Sequence, residues 1–121
     1  VARRASPKYK ARKTTVAGIT FDSAKEAARY LQLAMMAEAG AIVELKVHPV
    51  FKLTAGGRPV MYSPRTKLGK RRQASYEADF SYRYAGSWER IVEDVKGFDT
   101  QLSRLKRAML EAEFGITVQI V

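Results

Sequence analysis

The sequence predicts a mixed α/β (α+β) domain built in the order helix, three strands, helix, strand. Three observations carry that expectation. Apolar residues recur at helical spacing in two stretches, each opened by a capping residue and closed by a glycine. Between and after them lie runs dense in β-branched and aromatic residues, bounded by Gly and Pro. The chain has 121 residues and is 46% hydrophobic, which suits one domain with its own core.

Taken in order, residues 14–21 are β-prone and short, a small hairpin around Gly18. A helix follows, with Asp22 or Ser23 as N-cap and Ser23 to Glu26 spaced as a capping box. Ala27, Tyr30, Leu31, Ala34, Met35 and Glu38 follow at helical spacing, and Gly40 suits a left-handed stop. Residues 42–53 read as a first strand that Pro49 interrupts with a bulge or an edge position. Residues 54–74 read as a long basic loop, broken by Gly56, Gly57, Pro59, Pro64 and Gly69. Residues 75–84 read as a second strand, with Tyr76, Ala78, Phe80 and Tyr82 on one face and Glu77, Asp79 and Ser81 on the other.

After a tight turn at 85–87, residues 88–96 read as the third strand. Asp99 or Thr100 caps a second helix to about Glu113, whose expected apolar stripe is Leu102, Leu105, Met109 and Ala112. Residues 116–121 form a last strand, apolar enough to be buried on both faces. The third strand, second helix and last strand suit a right-handed crossover.

Composition narrows the chemistry. There is no Cys and one His, which argues against disulfides, thiolate metal sites, a His-based zinc site and Ser-His-Asp chemistry. Residues 1–13 contain no apolar signal segment, and no apolar run reaches the roughly 18 residues of a membrane span. A soluble, cytoplasmic setting and no membrane partner are the expectations.

The formal charge of +10 is unevenly placed. Residues 1–13 carry Arg3, Arg4, Lys8, Lys10, Arg12 and Lys13 without an acid, and residues 58–72 carry Arg58, Arg65, Lys67, Lys70, Arg71 and Arg72 without an acid. The rest of the chain holds 10 basic and 12 acidic residues. A near-neutral body with a basic arm and a basic loop fits a polyanion, nucleic acid first. Arg104, Lys106 and Arg107 leave two readings open, DNA tracking or a solvated face.

The acidic residues converge on one spot. Asp94 and Lys96 are two apart and share a side of their strand. If the second and third strands pair, Asp79 faces Asp94. Two carboxylates that close repel, and a divalent ion removes the repulsion. Mg2+ prefers oxygen ligands and keeps company with phosphate, with Mn2+ as its substitute. A nearby lysine suits water attack on a phosphodiester. The competing reading of Asp94 and Lys96 alone is an ordinary surface ion pair.

Asp79 in Glu77-Ala-Asp-Phe80, followed fifteen residues later by Glu93-Asp94-Val95-Lys96-Gly97, resembles the split Asp…(Asp/Glu)-x-Lys signature of the PD-(D/E)XK nuclease superfamily. The predicted element order is similar to its restriction-endonuclease-like αβββαβ core. Together with residues 18–27, these blocks look like a small phage-encoded endonuclease family related to Holliday junction resolvases. The resemblance covers residues 14–121, with Ala78 standing where the superfamily often has Pro.

The resemblance implies a Mg2+-dependent endodeoxyribonuclease acting on branched DNA in recombination, as a homodimer in a bacterial host. Asp79 and Asp94 would be metal ligands and Lys96 the catalytic lysine. Glu26 would be a further metal ligand, against the bland reading in which it only closes the capping box. Alternation puts Glu93 opposite Lys96, which favours Asp94 over Glu93. Glu77 and Gln101 are supporting candidates, while His48 beside Pro49 is expected to be structural. Tyr82, Tyr84 and Trp88 are expected to pack rather than stack on bases. The alternatives are a non-catalytic DNA-binding or packaging accessory protein, or a nuclease that nicks or cuts duplex.

Overall fold

A computed structural model describes residues 12–65 and 69–121. Arg3, Arg4, Lys8, Lys10 and Lys67, expected above to meet DNA, lie outside the described residues. The elements run β1 (Thr14–Val16), β2 (Ile19–Phe21), α1 (Ala24–Glu38), β3 (Ile42–Val47), β4 (Val50–Lys52), β5 (Thr54–Ala55), β6 (Arg58–Pro59), β7 (Met61–Tyr62), β8 (Arg72–Gln73), β9 (Ser75–Glu77), β10 (Phe80–Tyr84), β11 (Ile91–Asp94), α2 (Gln101–Phe114) and β12 (Val118–Ile120).

The central sheet has the order β12-β11-β10-β3. β10 is antiparallel to both β3 and β11, and β11 is parallel to β12. A parallel pair needs a crossover, and α2 supplies it. Helix, three sheet strands, helix and strand therefore follow in the order read from the sequence, as a mixed α/β fold.

Both helix starts follow their sequence signals. Ser23 is extended, and its Oγ accepts the Glu26 N–H at 3.1 Å. Thr100 does the same for Ser103 at 3.0 Å. Each such cap is worth about 1 kcal/mol. Gly115, with φ +68°, closes α2 in the left-handed conformation that costs a glycine least.

Neighbouring residues of β11 point into opposite cores. Ile91 joins Phe21, Ala27, Leu33, Ile42, Phe80 and Tyr82 beneath α1. Val92 joins Phe51, Leu53, Tyr76, Ala78 and Leu110 beneath α2. Each large side chain fully buried there contributes about 1.5–3 kcal/mol.

The helix faces differ from the predicted stripes. Ala27 and Leu33 are the buried apolar residues of α1, whereas Leu31 and the 70% exposed Met35 face outward. In α2 the buried residue is Leu110, and Leu102 and Leu105 are exposed. In α1, this rotation buries Glu26 rather than exposing it.

The two strands expected at 42–53 and 75–84 are each broken in two. His48 adopts φ +56° and Pro49 follows it, so β3 stops at Val47 and β4 restarts at Val50. The opposite strand breaks at Ala78 and Asp79. The breaks are bonded to each other: the His48 N–H donates to the Asp79 carbonyl at 2.9 Å, and the Ala78 N–H to the Pro49 carbonyl at 3.0 Å. Beyond them β4 pairs with β9 instead of the central sheet. Tyr76 and Ala78 thus enter the α2 core while Phe80 and Tyr82 enter the α1 core, so the four do not share one face.

The expected basic loop contains paired strands, β5 with β6 and β7 with β8. Glu113 of α2 anchors it, accepting from Thr54 Oγ1 at 2.6 Å and from the Gly56 N–H at 2.9 Å. The last strand is also corrected. β12 lies at the sheet edge, and its Ile120 is half exposed rather than buried on both faces. Trp88 does not pack inward: it is 91% exposed, with the Arg83 guanidinium 5.1 Å from its ring centre. Only Tyr82 of the three aromatics is buried, since Tyr84 is also exposed. Among the described residues, no helix is long and apolar enough to cross a membrane.

Candidate metal and phosphate site

The site forms where the paired strand breaks meet the end of β11 and the first turn of α1. Register places Phe80 opposite Glu93, which brings the preceding Asp79 against Asp94. The Asp79 N–H donates to Asp94 Oδ1 at 3.0 Å, and the Val95 N–H donates to Asp79 Oδ2 at 2.6 Å. Asp94 is 1% exposed, and its Oδ2 has no hydrogen-bond partner among the described residues. Lys96 Nζ lies 3.3 Å from that oxygen, close enough for an ion contact without hydrogen-bond geometry.

Burial pushes the Asp79 carboxyl up to about 6. Its bond from Val95 and the charges of Lys96 and His48 oppose that rise, while the nearby Glu26 reinforces it. Burial also raises Asp94, against Lys96, the Asp79 N–H and Arg107. Two adjacent carboxyls that resist ionisation form a ligand set short of positive charge. A buried acceptor with no donor points the same way.

Glu26 enters from α1. Its N–H serves the Ser23 cap, but its side chain does not complete a capping box. The carboxylate is buried and meets His48 Nε2 at 2.8 Å. Burial disfavours the charged imidazole, yet the hydrogen bond and charge of Glu26, with Glu77 and Asp79 behind it, leave His48 raised overall. Ligand atoms of Glu26, His48 and Asp79 all lie within 4.8 Å of one another, as an ion-binding group would require. Sequence reasoning missed His48. Its signal was the interruption at Pro49, which read as a strand defect and is also the turn that aims the imidazole.

The remaining candidates divide. Glu93 points to the α1 side, where Arg29 Nε and Nη2 grip its two oxygens at 2.8 and 2.7 Å and Tyr82 donates to it. Burial raises its carboxyl, but these bonds outweigh burial and leave it lowered. It is a buried structural ion pair, apart from Lys96. Glu77 is exposed and borders an open depression of about 240 Å3 with Lys96, Tyr76, Thr100, Leu102, Ser103 and Lys106. Gln101 is exposed, and the α2 residue that meets Lys96 is Ser103, with Oγ 3.3 Å from Nζ. Arg107 is held by Asp99 and Ser103, whereas Arg104 is exposed and bonds the Asp99 carbonyl.

Arg12, Lys13, Lys70, Arg71 and Arg72 are exposed. The last lies on the ribbon whose returning strand β9 leads directly to Asp79.

A mixed α/β fold thus carries a carboxylate pair, buried at Asp94 and half-buried at Asp79, with a lysine and an imidazole at one end of its sheet. Residues 6–119 match the family described as "Protein of unknown function (DUF1064)", and the chain belongs to that family. No curated protein and no solved structure matches the chain.

Proposed function

We propose that the protein is a divalent-metal-dependent endodeoxyribonuclease that hydrolyses phosphodiester bonds in branched DNA. The observation that carries this reading is the juxtaposition of Asp79, Asp94 and Lys96 across β10 and β11. The PD-(D/E)XK resemblance names the same three residues. Asp79, Asp94 and Glu26 are the oxygen donors that would hold Mg2+, or Mn2+ in its place. A divalent ion there would neutralise charge at the scissile phosphate and make a bound water more acidic.

The chain's own residues supply the rest. The paired backbone bonds fix the two carboxylates before substrate arrives, so little reorganisation accompanies reaction. Lys96, steadied by Ser103 and Asp94, presents an ammonium to the attacking water and the developing phosphorane charge. Lys106 lies on the same depression and would bind an adjacent phosphate. The ribbon cations would follow the DNA backbone outward.

A four-way junction has two equivalent strands to cut, and a two-fold dimer matches that symmetry. The half-exposed edge strand β12 and the exposed Met35 support a homodimer, with bacterial cytoplasm as its setting.

The test is incubation with four-way junction, flap, linear duplex and single-stranded DNA in Mg2+, Mn2+, Ca2+ or EDTA. The expected result is junction cleavage in Mg2+ or Mn2+, with binding but little turnover in Ca2+. Binding without cleavage of any substrate in Mg2+ or Mn2+ would leave a DNA-binding accessory protein instead.

A further inference from the structure

Three carboxylates and a lysine would suffice for an oxygen-donor Mg2+ site, but the fold also brings an imidazole to it. We propose that His48 is a ligand of the same ion as Glu26 and Asp79, and that its nitrogen makes the site favour a first-row transition ion over Mg2+. The inference rests on the metal-site reading above and concerns which ion occupies it.

Four observations converge. His48 Nε2 is 2.8 Å from Glu26 Oε1, and its ligand atom lies within 4.8 Å of those of Glu26 and Asp79. The ring is aimed there by a left-handed backbone at φ +56°, a conformation that L side chains other than Asn and Asp rarely adopt. That backbone is pinned by the His48 N–H to the Asp79 carbonyl at 2.9 Å. Next to the group, the wholly buried Asp94 Oδ2 lacks a hydrogen-bond partner among the described residues and meets only the Lys96 ammonium at 3.3 Å, on a carboxylate whose other oxygen accepts the Asp79 N–H.

Donor chemistry sets the selectivity. Mg2+ is hard, sheds water reluctantly and takes oxygen ligands, so an imidazole adds little to its binding. Transition ions gain from nitrogen, and affinity at a mixed site rises from Mn2+ onward along the first row. Mn2+ gains least of these, which makes it the stringent probe. The hydrogen bond from His48 to Glu26 serves in the ion-free protein and gives way to shared ligation.

The experiment uses the full chain without DNA. Electron spin-echo modulation of bound Mn2+ should show coupling to an imidazole nitrogen, since His48 is the chain's single histidine. Calorimetric titration should give tighter binding of Mn2+ than of Mg2+. His48→Asn keeps a residue that tolerates the left-handed backbone, and it should weaken Mn2+ binding about tenfold or more while changing Mg2+ binding several-fold less. His48→Gln, which exchanges nitrogen for oxygen, should also lose the preference.

Absence of nitrogen coupling in the wild-type protein, or an unchanged Mn2+ to Mg2+ ratio in either folded variant, would overturn the proposal and leave His48 as a partner of Glu26. Selective binding together with failure to cut any DNA would uphold this inference and sink the nuclease reading. Cleavage without nitrogen coupling would do the reverse.

Discussion

The backbone N–H of Asp79 donates to Oδ1 of Asp94 at 3.0 Å across fifteen residues of chain. The return bond, from Val95 N–H to Asp79 Oδ2 at 2.6 Å, closes a reciprocal clasp. Each carboxylate is thereby held by main chain from the other's segment. Two acids that repel when ionised are kept together by backbone geometry, with the Lys96 ammonium 3.3 Å from Asp94 Oδ2. Burial nevertheless holds the Asp79 carboxyl up to about 6.

Glu93 and Asp94 are adjacent and buried, yet they should behave oppositely on substitution. Asp94→Asn should cut the cleavage rate by about a hundredfold or more while leaving the urea midpoint at neutral pH at or above that of the wild type, since burial disfavours the charged carboxylate. Glu93→Gln should keep cleavage and lose stability, by roughly 1–3 kcal/mol. Arg29→Met, which strands the Glu93 charge, should cost about 3–5 kcal/mol. Parallel urea melts and junction cleavage assays check this, and loss of cleavage in a folded Glu93→Gln protein would contradict the assignment.

Alternation along β11 was enough to separate those two residues in the sequence, because a period of two is rigid once a strand exists. Ser23, Gly40, Thr100 and Gly115 marked the helix ends for similar local reasons. What could not be read was non-local. The breaks at His48 and at Ala78–Asp79 are bonded to each other across thirty-one residues, and only that pairing turns His48 toward Glu26. The helix faces were misread by about one residue, since Leu31, Met35, Leu102 and Leu105 fit an apolar stripe as well as the true inner positions do. Glu26 illustrates the limit: its capping spacing was correct for its N–H and silent about its carboxylate.

Asp79 makes stability depend on pH in a defined direction. Its folded value near 6 lies above the ordinary 3.8, so folding disfavours its charged form. The destabilisation is absent below about pH 3.8, grows as pH rises, and is complete above about 6. Asp79→Asn should therefore be near neutral at pH 4 and stabilising by roughly 1–3 kcal/mol at pH 7, in EDTA. Urea unfolding of both proteins at the two pH values checks it. A difference that stays constant with pH would show that Asp79 ionises freely.

The ribbon cations should act on affinity and leave the chemical step alone. Replacing Lys70, Arg71 and Arg72 with Gln should weaken binding to every DNA substrate. The slope of log affinity against log salt should shrink by roughly 0.9 for each phosphate no longer neutralised. Fluorescence anisotropy across a salt series in Ca2+ measures this. An unchanged slope would place the DNA path elsewhere on the surface.

The central claim is that Asp79, Asp94 and Lys96 form one hydrolytic site, and Lys96→Ala tests it most directly. The lysine contributes charge at the reacting phosphate without closing the carboxylate clasp, so its loss should spare folding, metal binding and junction affinity. Single-turnover cleavage of a four-way junction in Mg2+, with variant enzyme in excess, isolates the chemical step. The account predicts a rate lower by roughly a hundred- to a thousandfold at wild-type affinity, and wild-type cleavage by Lys96→Ala would contradict it.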